Sequence, residues 1–281
     1  MPPAGSVPSS LPALLRRHDR DRFLATLCAP AERQPALWAL LSFNYEIARV
    51  REVVSEPILG QIRLQWWRDA LDEIYAGKKP RRHEVVEPLA EAVLGCGLDR
   101  ALLDGMIAAR EHDLAGEPPS TLAALETYLA ATSSNLLQAQ LAVLGAEATE
   151  AARLIGIAWG LVGLIRALPY HAAAKMLYIP AEIAQAVDLH EQDVYALRPS
   201  APLAAALEQL GAAAEAHLAE ARKLRRDVPR RAVPALLIAR LASRYLQHLA
   251  AAGYDPYTPA VQLPDPLAAW RLSWGRVIGR Y

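Results

Sequence analysis

The densest group of residues that could do chemistry lies between residues 43 and 68. Asn44 and Glu46 interrupt a pattern that is otherwise that of an apolar helix. A buried polar group without a hydrogen bond costs about 1–3 kcal/mol, so these side chains need partners. Two interpretations stay open: a polar network that fixes the register of packed helices, or the lining of a ligand cavity. The candidates for such a cavity are Asn44, Glu46, Arg49, Glu52, Arg63 and Trp66.

A second group follows a long apolar stretch, at residues 166–180. Pro169 should kink or end the preceding helix, and Arg166, His171 and Lys175 lie on either side of it. These three side chains are either solvated at the end of that helix, or they are hydrogen-bond donors that bind an anion. Guanidinium and ammonium groups can bind a diphosphate or an anionic lipid directly, through charge-assisted hydrogen bonds.

Familiar catalytic and metal-binding motifs are missing. The sequence has no P-loop, no G-x-G-x-x-G after a strand and no H-E-x-x-H. No two of the seven histidines have the helical spacing of metal ligands, and the two cysteines, Cys28 and Cys96, exclude a disulfide scaffold and a multi-cysteine zinc site. Asp113 is a spare carboxylate, for which we expect solvation at a helix end rather than a place in a site.

Composition and charge exclude further classes of protein. The 281 residues carry 30 Lys+Arg against 30 Asp+Glu, a balance that argues against a nucleic-acid partner. An apolar share of 53% argues against disorder. The longest uncharged stretch, Leu154–Ile165, is twelve residues long, which is too short to span a bilayer and fits a buried core helix. We expect a protein that is soluble or peripheral to a membrane.

The elements that position these residues are predicted to be helices only. Alanine and leucine are abundant and are strong helix formers, and no stretch alternates as a strand would. We therefore predict an all-α fold, with a flexible N-terminal lead at 1–18 and one helical domain at 19–281. Helices are expected near residues 30–49, 55–76, 84–94, 99–115, 121–144, 149–167, 201–227, 232–252 and 264–278, with one short helix within 185–200.

Three patterns concern burial and surface contact. In the helix at 55–76, an apolar stripe recurs at every fourth residue, formed by Ile58, Ile62, Trp66, Ala70 and Ile74. Trp270 and Trp274 form an i,i+4 pair that is either part of the core or an anchor at a membrane interface. The basic run at 222–231 is either a set of cations at a helix end and in a solvated loop, or a contact with an anionic membrane.

The two groups described above, at residues 43–68 and 166–180, are called the first and second chemical segments. They resemble segments of the squalene/phytoene synthase family. Arg33 and the aromatic helix at 38–43 match the lead-in to the first Asp-rich motif of that family. Leu164-Ile165-Arg166 and Tyr178-Ile179-Pro180 match the flanks of its second motif. The resemblance covers nearly the whole chain and implies an isoprenoid-synthase-type helical bundle around a central cavity. It also implies Mg²⁺ ions, held by the aspartates of both motifs, that bind the substrate diphosphate in head-to-head prenyl transfer.

The aspartates themselves are missing from this sequence. The positions that the family fills with aspartate hold Ala48, Arg49, Ala167 and His171, and only Glu52 remains acidic. Mg²⁺ prefers carboxylate and diphosphate oxygens, and a cation such as Arg49 would oppose it. We therefore expect no catalytic residue, no metal site and no cofactor, with Mg²⁺ involved only if the chain is catalytic.

These departures are similar to those of a divergent subgroup that includes a mitochondrial assembly factor of respiratory complex I. The matching positions are Asn44, Glu46, Ser55, Glu56, Gly60, Arg63, Gln65, Trp66, Pro169, Tyr170, His171, Trp270, Arg271 and Trp274. The resemblance implies a non-catalytic protein that assists assembly of NADH:ubiquinone oxidoreductase. Its partner would be an NADH dehydrogenase subunit or an assembly intermediate. Its place would be cytoplasmic, at the inner face of the membrane, or on the matrix side in a eukaryote.

Two alternatives remain. One is a protein that keeps the cavity and binds an isoprenoid diphosphate or an anionic lipid through Arg49, Arg51, Arg166 and Lys175. The other is a prenyl transferase of the phytoene or squalene synthase type with displaced metal ligands, for which Glu46, Glu52 and Glu56 are the available carboxylates. A working diphosphate site needs carboxylates that face each other across a cavity.

Overall fold

The computed structural model describes residues 10–281, and the regular elements within this range are all helices. The α-helices are α1 (Ser10–His18), α2 (Arg20–Thr26), α3 (Gln34–Ala48), α4 (Val50–Val53), α5 (Pro57–Tyr75), α6 (Val86–Cys96), α7 (Arg100–Ala109), α8 (Glu111–Ala115), α9 (Leu122–Leu129), α10 (Asn135–Val143), α11 (Thr149–Ala173), α12 (Ala181–Ala186), α13 (Glu191–Tyr195), α14 (Ala201–Lys223), α15 (Val233–Leu236), α16 (Ile238–Ala251), α17 (Pro259–Gln262) and α18 (Ala268–Ile278). Short 3-10 turns lie at Ala31–Arg33, Leu224–Arg226 and Arg230–Ala232, and a π-helical turn lies at Ala130–Ser134. The all-α prediction is confirmed for the described part of the chain.

The fold is built around α11, which packs along α14 and also contacts α10, α16 and the π-helical turn. Gly156 allows α11 to lie close to the π-helical turn, because a Cβ added at this residue would lie 2.4 Å from the Cα of Ser134. The helix runs through Pro169 to Ala173, beyond the predicted end at residue 167. By length and composition α11 could cross a membrane, but 67% of its most apolar window is buried inside the structure, as in the core helix of a globular protein.

The N-terminal part of the described chain belongs to the helical domain. Residues 10–18, which the sequence placed in a flexible lead, form α1 and pack against α2 and α3. Leu11 and Leu15 are buried, with Leu15 fully covered. The prediction of a lead is therefore wrong for these residues, because two leucines four apart give α1 an apolar side that the core covers. The rest of the predicted lead, residues 1–9, lies outside the described residues.

The apolar stripe of α5 is buried only in its second half. Ala70 and Ile74 are buried and Trp66 is half-buried, whereas Ile58 and Ile62 are 54% and 59% exposed. A row of every fourth residue advances by about 40° per step around an α-helix, so such a row turns away from the core within three or four steps. The core is completed instead by neighbouring positions such as Leu64.

Two of the predicted long helices are interrupted. The helix expected at 99–115 is divided between α7 and α8 at Arg110. The helix expected at 121–144 is divided between α9 and α10 by the π-helical turn, in which one extra residue per turn shifts the following side chains around the axis. Thr132 in this turn is buried, and its hydroxyl donates to the carbonyl of Tyr128 at 2.9 Å.

Candidate functional site

The ends of the two chemical segments meet at the surface. Glu52 in α4 is exposed, and its carboxylate lies near the Tyr170 hydroxyl of α11. Partial burial and this neighbouring carboxylate raise the pKa of Tyr170. The fold thus places the first and second segments side by side, as the family resemblance implies.

Arg49, at one of the family's aspartate positions, is engaged by its own helix. Its guanidinium lies 5.2 Å from the centre of the Tyr45 ring and 3.5 Å from the Glu46 carboxylate. On the other side, the Tyr45 ring stacks on His18 at 4.8 Å. The positive charge at this position is therefore balanced locally, and its neighbour Ala48 offers no ligand atom.

The other candidates of the first segment are distributed over two helices. Asn44 is 7% exposed inside α3. Trp66 packs edge-on against Trp67 at 5.0 Å and carries the Arg81 guanidinium 5.3 Å from its ring centre. Arg63 is exposed on the same helix. Trp66 thus belongs to an aromatic cluster between α5 and the following loop, so these side chains do not all line one cavity.

The cations of the second segment separate as well. Arg166 points away from the first segment and stacks on Tyr245, with 3.7 Å from its guanidinium carbon to the ring centre, and its Nη1 lies 3.5 Å from Asp21. Burial raises the pKa of Asp21, although Tyr245 and Arg166 both act to lower it. His171 lies on a different side of α11, because five residues correspond to about 140° around the helix. Lys175 is exposed beyond the helix end.

A buried polar network that the sequence did not predict lies beneath His171. Asp113 accepts hydrogen bonds from the hydroxyls of Tyr128 at 2.9 Å and Tyr178 at 3.0 Å, and from Arg110 at 3.2 Å. Asp113 is only 6% exposed, so the expected solvated role at a helix end is wrong. The sequence gives little warning of this burial, because Arg110 and Asp113 belong to a run of four polar residues, Arg110-Glu111-His112-Asp113.

The network sets the protonation of its members. Burial raises the pKa of Tyr128, and burial together with Asp113 raises that of Tyr178, so both remain hydrogen-bond donors. Burial and the neighbouring Arg110 lower the pKa of His171 to about 4, against the opposing effect of Asp113. His171 is therefore neutral near pH 7. Its ring lies 4.8 Å from that of Tyr178.

The interior next to His171 is closely packed. His171 lines a cavity of about 20 Å³ between α11, α14 and the chain that follows α11, with Leu164, Leu168 and Leu207 among the other walls. This volume suits a single water and lies far below the roughly 300–1,000 Å³ of a typical ligand pocket. An isoprenoid chain does not fit into it.

The side chains at the motif positions do not fit a Mg²⁺–diphosphate site. Mg²⁺ needs free oxygen ligands, yet Glu46 is paired with Arg49 and Asp113 is saturated by Arg110 and two tyrosines. Across residues 10–281 no group of three or more His, Cys, Asp or Glu side chains is arranged to hold a metal ion.

Comparisons with known proteins agree with this architecture. A family model of squalene/phytoene synthase matches residues 15–277. The protein named NADH dehydrogenase (ubiquinone) complex I, assembly factor 6 of Bos taurus is 31% identical over 267 residues, covering 93% of this chain and 80% of that protein. The human protein of the same name is 30% identical over the same length and coverage. The presqualene diphosphate synthase of Rhodopseudomonas palustris is 28% identical over 252 residues, covering 86% of this chain and 87% of that enzyme.

Solved structures give the same fold. A dehydrosqualene synthase superposes with a TM-score of 0.82 at 15% identity, covering 95% of this chain and 94% of that one. A squalene synthase from Alicyclobacillus acidocaldarius superposes with a TM-score of 0.76 at 17% identity, covering 88% and 94%. The expected isoprenoid-synthase-type bundle is confirmed, and the chain belongs to the squalene/phytoene synthase family.

Proposed function

We propose that this chain is a non-catalytic member of its family that assists the assembly of respiratory complex I. The observation that carries the proposal is the state of the former ligand positions. Arg49 is paired with Glu46, His171 is neutral and half-buried, and Ala48 and Ala167 have no side-chain ligand atoms. The two assembly factors of Bos taurus and Homo sapiens, which align with 93% of the chain, support the same function.

The chemistry of prenyl transfer argues against catalysis here. Ionisation of a prenyl diphosphate needs cations held opposite each other by carboxylates. At the motif positions the described residues offer one carboxylate, Glu52, and a neutral histidine, His171, which cannot hold two cations. We propose that the protein needs neither a metal ion nor another cofactor.

The alternative in which the helical bundle binds a prenyl diphosphate without reacting it also has little support. Direct recognition of a diphosphate needs several cations that converge on one space. Arg49 and Arg166 are instead engaged with separate partners, Tyr45 and Tyr245, and Lys175 is exposed elsewhere. The proposed partner is therefore a protein: an NADH dehydrogenase subunit or an assembly intermediate. The proposed place is the cytoplasmic face of the inner membrane, or its matrix face in a eukaryote.

Two measurements test the proposal. The purified protein should release no diphosphate from farnesyl or geranylgeranyl diphosphate while Mg²⁺ is titrated in, with a known dehydrosqualene synthase as the positive control. Deletion of the gene in the source organism should lower the amount of assembled complex I, and the wild-type chain should restore it. Diphosphate release that disappears in the Glu52→Ala variant would overturn the non-catalytic proposal, and an unchanged amount of complex I in the deletion strain would overturn the assembly role.

A further inference from the structure

A pocket lined by arginine lies far along the chain from the two chemical segments. It has a volume of about 210 Å³ and is formed by α14, α16, α18 and Tyr281. We call it the arginine pocket; its cations are Arg222, Arg225, Arg240, Arg244 and Arg271.

Three of these five arginines, Arg222, Arg240 and Arg244, have neutral partners. Arg222 donates to the Ser243 hydroxyl at 2.8 Å and Arg244 to the side-chain oxygen of Gln247 at 3.3 Å. Arg240 donates to the main-chain oxygen of Arg280 at 3.4 Å, and Arg225 donates to that of Tyr281, the last residue of the sequence. Within residues 10–281, the one side-chain carboxylate in ion-pair distance of any of the five is Asp265, which holds Arg271 at 2.8 Å. The arginine pocket therefore carries positive charge that the described chain does not balance.

Donors in the arginine pocket are also unused. The Nε atoms of Arg225 and Arg244 are buried without a hydrogen-bond partner. Burial and neighbouring cations lower the pKa of both Arg225 and Arg240. A buried donor without a partner is costly, and so is the approach of like charges. An anion with several oxygens would relieve both costs at once, because a guanidinium group matches phosphate oxygens in pairs.

One wall of the arginine pocket is fixed in place. The Tyr281 side chain is 3% exposed, and its hydroxyl donates to the carbonyl of Ala221 at 2.9 Å. The Arg225 guanidinium lies 5.5 Å from the centre of its ring. Little ordering of these groups is therefore needed when an anion binds.

The neighbouring surface of α18 is apolar and exposed. We call it the apolar ridge; its residues are Leu267, Trp270, Trp274, Val277 and Ile278, which are 39–73% exposed. The two tryptophan rings stack 6.1 Å apart with an angle of 4° between their planes. Of the two interpretations that the sequence left open for Trp270 and Trp274, the one that placed them in the core is therefore wrong. Both side chains face outward from α18.

The apolar ridge and the arginine pocket are continuous. Arg271 lies four residues after Leu267 and three before Trp274, so these side chains are neighbours on one strip of α18. At the far end of the helix, Arg230 lies beside Gly279, 3.6 Å from a Cβ built there. Cations thus border the apolar ridge along its side and at its end, which is the arrangement of a helix that lies in a membrane interface.

We infer that this face binds an anionic phospholipid, with the lipid phosphate in the arginine pocket and the apolar ridge at the level of the headgroups. Two features favour a lipid over a protein partner. The arginine pocket is a concave site of phosphate size, and paired tryptophans are typical of the boundary between headgroups and acyl chains. This binding does not depend on which protein the chain assists.

Vesicle flotation of the full chain tests the inference. We expect binding to phosphatidylcholine vesicles that contain phosphatidylglycerol or cardiolipin, and little binding to pure phosphatidylcholine. The variant Arg225→Gln/Arg240→Gln should lower the partition coefficient by about thirtyfold, the effect of two charges near an anionic surface. The variant Trp270→Ala/Trp274→Ala should lower it as well. The control is Lys78→Gln/Lys79→Gln, which removes two exposed cations from the loop after α5 and should retain binding.

Four outcomes would overturn the inference. Equal loss in the control would show that only net charge matters. Binding that survives both the arginine and the tryptophan variants would place the lipid contact elsewhere. Saturable binding of soluble glycerol phosphate by a chain that does not bind the anionic vesicles would assign the arginine pocket to a free phosphate compound. If circular dichroism shows that the double arginine variant does not fold, the variant Arg222→Gln, at the exposed rim of the arginine pocket, is tested in its place. Full vesicle binding by Arg222→Gln would also overturn the inference.

Discussion

Replacing His171 by phenylalanine should remove a large part of the acid sensitivity of this fold. Burial and Arg110 lower the pKa of His171 to about 4, whereas a histidine in an unfolded chain titrates near 6.5. Between these two values the unfolded chain takes up a proton that the folded protein does not. The free energy of unfolding therefore falls as the pH falls from about 6.5 towards about 4. Above pH 6.5 the residue is neutral in both states and has no such effect.

The magnitude follows from the two pKa values. For one site that titrates at about 6.5 unfolded and about 4 folded, the linkage relation gives a loss of about 2.5 kcal/mol between about pH 7.5 and pH 4.5. Phenylalanine keeps a ring beside Tyr178, which lies 4.8 Å away in the native protein, and it does not titrate. The variant should therefore gain about 2.5 kcal/mol over the wild-type protein on going from the higher to the lower pH.

Urea unfolding followed by circular dichroism at four pH values over this range measures the effect. The control is His112→Gln, which removes an exposed histidine from α8, next to Asp113 in the sequence. We expect the control to follow the wild-type pH dependence. The reasoning is refuted if His171→Phe loses stability in parallel with the wild-type protein, or if the exposed control flattens the curve to the same extent.

Two further substitutions test the packing around α11. Asp113→Asn leaves Arg110 buried without its carboxylate and should lower the free energy of unfolding by about 3–5 kcal/mol, measured by urea titration at neutral pH; a loss below about 1 kcal/mol would mean that the two tyrosines suffice. Gly156→Ala places a methyl group 2.4 Å from the Cα of Ser134 and should cost about 1–3 kcal/mol. Gly163→Ala in the same helix meets no atom within 4 Å, so equal destabilisation by both would contradict the packing argument.

The helices could be predicted from the sequence where local signals mark their ends. Gly77, which indicated the end of α5, adopts the left-handed conformation just after it, with φ of +67°, and the helix begins at Pro57, two residues after the predicted start at Ser55. Where local signals are absent, prediction failed. Nothing in the sequence between residues 121 and 144 marks the π-helical turn, which depends on its contact with α11 and not on a breaking residue.

The sequence identified the segments that form the candidate site, but not the directions in which their side chains point. Contact between Glu52 and Tyr170 brings together the two segments that the sequence singled out. Arg166 and His171, however, are close in sequence and face different partners, because the direction of a side chain depends on the angle around the helix. Tyr128 and Tyr178 come from separate parts of the chain, so their meeting at Asp113 is a property of the tertiary fold alone.

The charges of this protein fall into two groups that have different consequences for function. Near the motif positions, Arg49 is paired with Glu46 and Asp113 with Arg110, while His171 remains unprotonated. A charge with an internal partner stabilises the fold and has little affinity left for an external ion. In the arginine pocket, Arg222, Arg240 and Arg244 have neutral partners within the described chain, so their affinity for an anion is retained. We therefore expect anion recognition on the face formed by α14, α16 and α18, rather than around Arg49 and His171.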